Sequence, residues 1–227
     1  AAMLLSTCGT DTIPALNIIE DYYFTDITKE FIATSVPASE HSIACLGTSV
    51  EGEFESYRKW ITEDYPTGIV SLVSDTYDYW KVLTDYMPRL KADILARPVN
   101  ALGLSKVVIR PDSGDPVKII CGYSKILYQK DMTVNTFLPS EIKNGYDAYE
   151  HMDGDIKDIH THKTLSEAEL KGSVELLWEV FGGTVTEQGY KVLDSHIGLI
   201  YGDSITLERA EKILMRLEQK GYASINI

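Results

Sequence analysis

Charged residues recur in this chain where a short apolar run gives way to a turn. The clearest case is residues 106–109, a β-branched stretch that runs into Arg110, Pro111, Asp112, Ser113, Gly114, Asp115 and Pro116. The prolines and the glycine force the chain to turn at once, so an arginine and an aspartate stand at a strand end. Asp11 follows residues 3–7 in the same way, His41 follows 31–35, Asp75 follows 68–74, and Asp203 follows 197–201. Clustered carboxylates suit the hydroxyls of a ribose, or a Mg²⁺ ion carried by a phosphorylated substrate. A guanidinium offers a planar fork of donors to a carbonyl, a phosphate or a neighbouring carboxylate. Each aspartate could instead cap the helix after it, and Arg110 could be held by Asp112 alone.

The elements that must position these residues read as strand, turn and helix in alternation. Residues 13–23 carry Leu16, Ile18, Ile19 and Tyr22 at helical spacing, and a second helical segment begins near Ser42. Trp80, Val82, Leu83 and Met87 mark a helix after Asp75. Residues 166–181 read as one helix opened by Thr164-Leu165-Ser166-Glu167, a capping sequence. Residues 206–220 form a charged amphipathic helix with Leu207, Ala210, Ile213, Leu214 and Leu217 spaced to face a core, ended by Gly221. Residues 222–227 read as one more strand.

This order predicts an α/β fold, an incomplete or irregular β/α barrel forming a single partial domain over 1–227, with a variable segment at about 117–165. A closed barrel takes eight strands and about 250 residues, so strands are expected beyond one or both ends. In such folds ligands bind at the carboxyl ends of the strands, where the charged residues fall.

With 227 residues, 44% of them hydrophobic, and a formal net charge of −13, the chain can bury a core but repels nucleic acid. A local basic pocket for phosphate is compatible with that balance, and small molecules are the expected partners. No apolar run reaches the roughly 18 residues of a membrane span, so the expectation is a cytoplasmic protein bound neither to membrane nor to nucleic acid. Cys8, Cys45 and Cys121 lack metal-type spacing and read as reduced thiols. His151, His160 and His162 stand among acids, but their spacing matches no defined metal motif, and the segment reads as a solvated loop. Gly182-Gly183 could cradle a phosphate or simply end a helix.

Read together and in order, Gly9-Thr10-Asp11-Thr12, Ser35 to Ser42, Val73 to Asp78, Ile109 to Pro116, Phe181 to Val185 with Gly189 to Leu193, and Gly202-Asp203 resemble the central part of the nicotinamide phosphoribosyltransferases, type II phosphoribosyltransferases with bacterial and phage forms. The resemblance implies transfer of a phosphoribosyl group from phosphoribosyl pyrophosphate to nicotinamide, giving nicotinamide mononucleotide and pyrophosphate in NAD biosynthesis. It implies Mg²⁺ bound with phosphoribosyl pyrophosphate, and coupling to ATP. Asp11 would accept a hydrogen bond from the carboxamide nitrogen, with Arg110 and Ser71 on the carboxamide side. His41 would be the phosphorylated histidine, Asp75 and Asp112 would orient it or bind magnesium and ribose, and Gly202 and Asp203 would lie near the ribose. Family members are homodimers, so a homodimer or a complementing fragment is implied. The family's amino-terminal aromatic residues and its glycine-rich phosphate loop are absent, which implies a piece of the enzyme. An acid at Asp11 would repel a carboxylate and favours the amide. A nicotinate-using relative and a non-catalytic nucleotide-binding fragment are the alternatives.

Overall fold

A computed structural model describes residues 14–30, 32, 36–44, 50–126, 145–151, 154–202 and 204–227. The chain divides into two compact units, 1–37 and 38–227. In the first, Pro14 opens helix α1 (Pro14–Tyr23), where its fixed φ suits a first turn. Ala15 and Ile19 are buried on one face of α1, against Leu16 and Ile32. The strand expected at 3–7 lies outside the described residues, as do Asp11 and all of 31–35 but Ile32.

The second unit begins with α2 (His41–Ala44) and α3 (Val50–Lys59), which winds into a π-helical turn, Trp60–Asp64. Strand β1 (Gly68–Val73) follows, then a helical stretch of α4 (Tyr79–Lys81), a second π turn (Val82–Tyr86) and α5 (Met87–Leu95). After β2 (Ser105–Arg110) and α6 (Pro116–Cys121) come β3 (Lys125–Ile126), β4 (Ala148–Glu150) and β5 (Ile156–Asp158). The chain continues through α7 (Glu167–Lys171), α8 (Ser173–Phe181), β6 (Gly183–Val185), β7 (Lys191–Leu193), β8 (Ile197–Leu199), α9 (Leu207–Gln219) and a 3₁₀ turn, Ser224–Asn226.

Three strands form the parallel sheet that matters here, in the order β1-β2-β8, with Val73 opposite Arg110 and Ile109 opposite Leu199. Val70, Leu72, Val107, Ile109, Ile197 and Leu199 belong to one buried cluster with Leu83, Tyr86, Leu90, Ile94 and Leu177 from the helices. Parallel strands need such cover, which is why they read as near-continuous apolar runs. The fold is therefore mixed α/β around a parallel sheet, and no closed barrel is present among the described residues.

Several local expectations are corrected. The helix expected over 166–181 is two helices, because the chain breaks at Gly172, whose φ is +80°. There the backbone passes Gly122 so closely that a Cβ on Gly172 would sit 2.1 Å from the Gly122 nitrogen. Gly182 ends α8, and Gly183, the first residue of β6, admits a similar approach: a Cβ there would lie 1.9 Å from the Val192 carbonyl oxygen. Of the apolar residues assigned to the inner face of α9, Ile213 and Leu217 are buried, whereas Leu207 and Leu214 are exposed. Residues 222–227 make one bridge, Lys191 to Tyr222, and then coil, because the buried Asn226 side chain takes over the pairing. It accepts from the Leu193 amide and donates to the Lys191 carbonyl.

The variable segment holds structure of its own: β3 pairs parallel to β4, and β4 pairs antiparallel to β5. His160 and His162 are exposed, and His162 Nδ1 is 3.0 Å from the Tyr149 hydroxyl. Among the described residues no group of three or more His, Cys, Asp or Glu is arranged to hold a metal. Cys121 is buried, which pushes its thiol up to about 12; Cys8 and Cys45 lie outside the described residues.

Candidate active site

The carboxyl end of β1 is widened by a short pairing in front of it. Ala38 bridges Ser71, the Ser39 amide donates to the Ser71 carbonyl, and the Ser39 hydroxyl accepts from the Val73 amide at 2.8 Å. The segment bearing Glu40 and His41 is thereby laid beside the strand that delivers Asp75.

The next two turns are tied to each other. Asp75, only 6% exposed, accepts with Oδ2 from the Asp112 amide at 3.0 Å and from the Ser113 hydroxyl at 2.5 Å. The Ser74 amide donates to the Arg110 carbonyl. A third turn joins through the Tyr201 hydroxyl, which donates to the Gly114 carbonyl at 3.0 Å. Capping falls three residues beyond each of these acids: Asp78 accepts from the Lys81 amide, and Asp115 from the Val117 amide. Asp75 and Asp112 are thus not the helix caps, and the capping alternative does not hold for them.

His41 faces both freed acids. Its Nε2 is 3.6 Å from Asp75 Oδ1 and 3.9 Å from Asp112 Oδ2, while Nδ1 lies 3.0 Å from the Thr76 hydroxyl. A hydroxyl can donate or accept, so Thr76 fits either imidazole tautomer. The ring and Asp112 are both half-exposed, open to an incoming group. Asp75 Oδ1 is buried with no hydrogen-bond partner, so one oxygen of this carboxylate is fixed by the neighbouring turn while the other faces His41 Nε2 alone.

Arg110 lies at the end of β2. Its Nη2 donates to the Ser39 carbonyl at 2.8 Å and pairs with Glu40 Oε1 at 3.3 Å, while its Nε is buried without a partner. The alternative in which Asp112 alone holds the guanidinium is replaced by Ser39 and Glu40. Ser71, in mid-β1, has a buried hydroxyl oxygen with no partner. Gly202 follows β8 in open space, where a Cβ would meet nothing within 4 Å. Asp11 and Asp203 lie outside the described residues. The structure therefore brings His41, Asp75 and Asp112 together and places Arg110 at the end of β2, two residues before Asp112.

Ser39, Glu40, Thr76 and Ser113 lie within the motif stretches of the sequence but take no role there, although each stands within two residues of one that does. Glu53 and Tyr57 are hidden there altogether. They stand one turn apart on α3, and Tyr57 donates to the Val73 carbonyl at 2.5 Å. The available signal is an acid on the helix face that carries Tyr57 and Ile61.

A parallel α/β sheet with polar side chains gathered where its strands end is the ligand-binding arrangement of α/β enzymes. Over residues 2–227 the chain matches the nicotinate phosphoribosyltransferase (NAPRTase) family and belongs to it, as the motifs implied. It is 48% identical over 224 residues to the nicotinamide phosphoribosyltransferase of Acinetobacter baylyi, covering 99% of this chain and 36% of the relative. It is 34% identical over 195 residues to that of Mycoplasma pneumoniae, covering 86% and 33%, and 30% identical over 230 residues to that of Xanthomonas campestris pv. campestris, covering 100% and 36%. The chain spans about a third of the length of these curated relatives.

Proposed function

We propose that this chain carries part of the active site of a nicotinamide phosphoribosyltransferase, joining nicotinamide to phosphoribosyl pyrophosphate to give nicotinamide mononucleotide and pyrophosphate in NAD biosynthesis. The observation that carries this reading is the convergence of His41 on Asp75 and Asp112 beside Arg110. The names of the relatives supply the substrate class.

Displacing pyrophosphate from C1 of the ribose builds positive charge on the sugar, and the Asp75 and Asp112 carboxylates gathered at this rim stabilise it. Little reorganisation is needed, because Asp75 is already anchored by two donors from the neighbouring turn. The pyridine nitrogen is itself the nucleophile and needs holding rather than a base. Arg110 and Ser71 supply buried, unpaired groups for the carboxamide oxygen and nitrogen. His41 is the acceptor of a phosphoryl group from ATP, with Asp75 and Asp112 orienting its ring, and Gly202 and Asp203 serve the ribose.

Magnesium fits this site as a companion of the substrate rather than as a resident ion. The open carboxylate of Asp112, with Asp75 beside it, is a hard donor, and Mg²⁺ is usually held by one or two carboxylates together with substrate phosphates. When bound, it neutralises charge on the leaving pyrophosphate. A homodimer, or a complementing fragment, and a cytoplasmic location belong to the same reading; no helix among the described residues is long and apolar enough to cross a membrane.

A nicotinate-using enzyme is the second reading, favoured by the family's own description. Incubating the chain with phosphoribosyl pyrophosphate, Mg²⁺ and either labelled base separates the two. Whatever product this part of the site forms is expected to be nicotinamide mononucleotide; nicotinate mononucleotide alone would establish the second reading.

A further inference from the structure

Behind the rim, on the side of β1 covered by α3, lies a group that none of the roles above uses. Glu53 is 1% exposed and stands among tyrosines and acids: Tyr57 and Tyr86 hydrogen-bond it, and Asp78 and Asp75 repel its charge. Its Oε2 is buried with no partner, while Oε1 is 3.3 Å from the Tyr57 hydroxyl oxygen. That same hydroxyl is 2.5 Å from the Val73 carbonyl oxygen.

Proton counting decides the direction of these bonds. A tyrosine hydroxyl carries one proton, and a backbone carbonyl can only accept. The closer contact therefore takes the Tyr57 proton, and the proton between Tyr57 and Glu53 has to come from Glu53. A neutral acid also explains the bare Oε2, since an ionised carboxylate buried with an unpaired oxygen costs far more than a carbonyl oxygen in the same place. Burial agrees in direction, pushing the Glu53 carboxyl above its ordinary range, with the charges of Asp78 and Asp75 adding to the effect.

We propose that Glu53 and Tyr57 form a positioning relay: the neutral Glu53 carboxyl donates to Tyr57, Tyr57 donates to the Val73 carbonyl, and the strand end that carries Ser74 and Asp75 is held in register with His41. Val73 is the last residue of β1, and its amide donates to the Ser39 hydroxyl. The peptide units on either side of Val73 are thus pinned, by Tyr57 at its carbonyl and by Ser39 at its amide. Two residues later Asp75 meets the turn after β2. The relay acts through the backbone and touches no substrate, and its catalytic consequence rests on the function proposed above.

The test uses the whole chain with Glu53→Gln, Glu53→Leu and Tyr57→Phe, the fold of each being checked by circular dichroism. At neutral pH the infrared difference between the native chain and Glu53→Gln is expected to show a protonated-carboxyl band lost in the variant. A carboxylate band lost instead would overturn the proposal. The His41 ring resonances are expected to stay in place in Glu53→Gln, whose amide can still donate to Tyr57, and to shift in folded Glu53→Leu and Tyr57→Phe. Unmoved resonances in folded Tyr57→Phe would reduce the pair to packing and overturn it. Should Tyr57→Phe and Glu53→Leu not fold, the infrared band and the His41 signals of Glu53→Gln decide alone. Neither readout needs substrate, so failure of the functional reading would show separately, as no heat on titration with nicotinamide mononucleotide.

Discussion

Asp75 reaches across to the turn after the neighbouring strand and accepts a hydrogen bond from the backbone amide of Asp112 at 3.0 Å. One acid of the site thus holds the other, and both face His41. The arrangement follows from the parallel register, which sets Val73 opposite Arg110 and so brings the two turns side by side.

Asp75 is expected to matter for folding as well as for chemistry. Asp75→Ala leaves the Asp112 amide and the Ser113 hydroxyl without their acceptor, a loss of about 1–3 kcal/mol by the usual cost of stranded donors. Urea unfolding of the chain measures it. An unchanged midpoint would mean that water replaces the carboxylate at no cost.

Asp112 and Asp115 are expected to separate function from stability. Asp115→Ala removes the cap of α6 and should cost about 1 kcal/mol while leaving ligand binding alone. Asp112→Ala, at a half-exposed residue that caps nothing, should leave the urea midpoint within about 0.5 kcal/mol while weakening nucleotide binding. Asp78→Ala should behave as Asp115→Ala does.

The crossing of Gly122 and Gly172 is expected to admit no side chain. An added Cβ at Gly122 would lie 2.2 Å from the Leu170 carbonyl oxygen, and both residues have positive φ. Gly172→Ala or Gly122→Ala should cost more than about 3 kcal/mol, read as loss of soluble protein or a collapsed urea midpoint.

Acid should weaken the unit through Asp158. Burial alone would raise its carboxyl, but Lys118 and the Thr161 and His160 amides override it and hold the group well below the ordinary carboxylate range. A folded-state value below the unfolded one gives stability that is complete above the unfolded pKa, about 3.9, and is lost as pH falls toward the folded one. Asp158→Asn should therefore flatten the loss of thermal stability between about pH 4 and pH 2 relative to the native chain. A native profile that is already flat there would contradict this.

Much of the site is legible in the order of residues alone. Arg110, Asp112 and Asp75 stand out because a β-branched run followed by proline or aspartate can only end at a turn, and His41 because Pro37 marks one. Which aspartate caps is not legible: Asp75-Thr76-Tyr77-Asp78 and Asp112-Ser113-Gly114-Asp115 each offer two candidates, and only the hydrogen bonds separate them. The break at Gly172 depends on Gly122, far away in sequence, so local helical pattern runs straight through it. Glu53 is hidden for a similar reason. Among the charges of 50–59 an acid reads as solvated, and only its packing behind β1 shows otherwise.

Calorimetry with nicotinamide mononucleotide, on the native chain and on Arg110→Lys, tests the central assignment most directly. Lysine keeps the charge but loses the second donor: in Arg110, Nη2 alone holds the Ser39 carbonyl and Glu40, leaving the buried Nε without a partner. A saturable heat in the native chain, lost or weakened at least tenfold in Arg110→Lys, is the expected result. No heat in the native chain, or equal heats in both, would contradict the account.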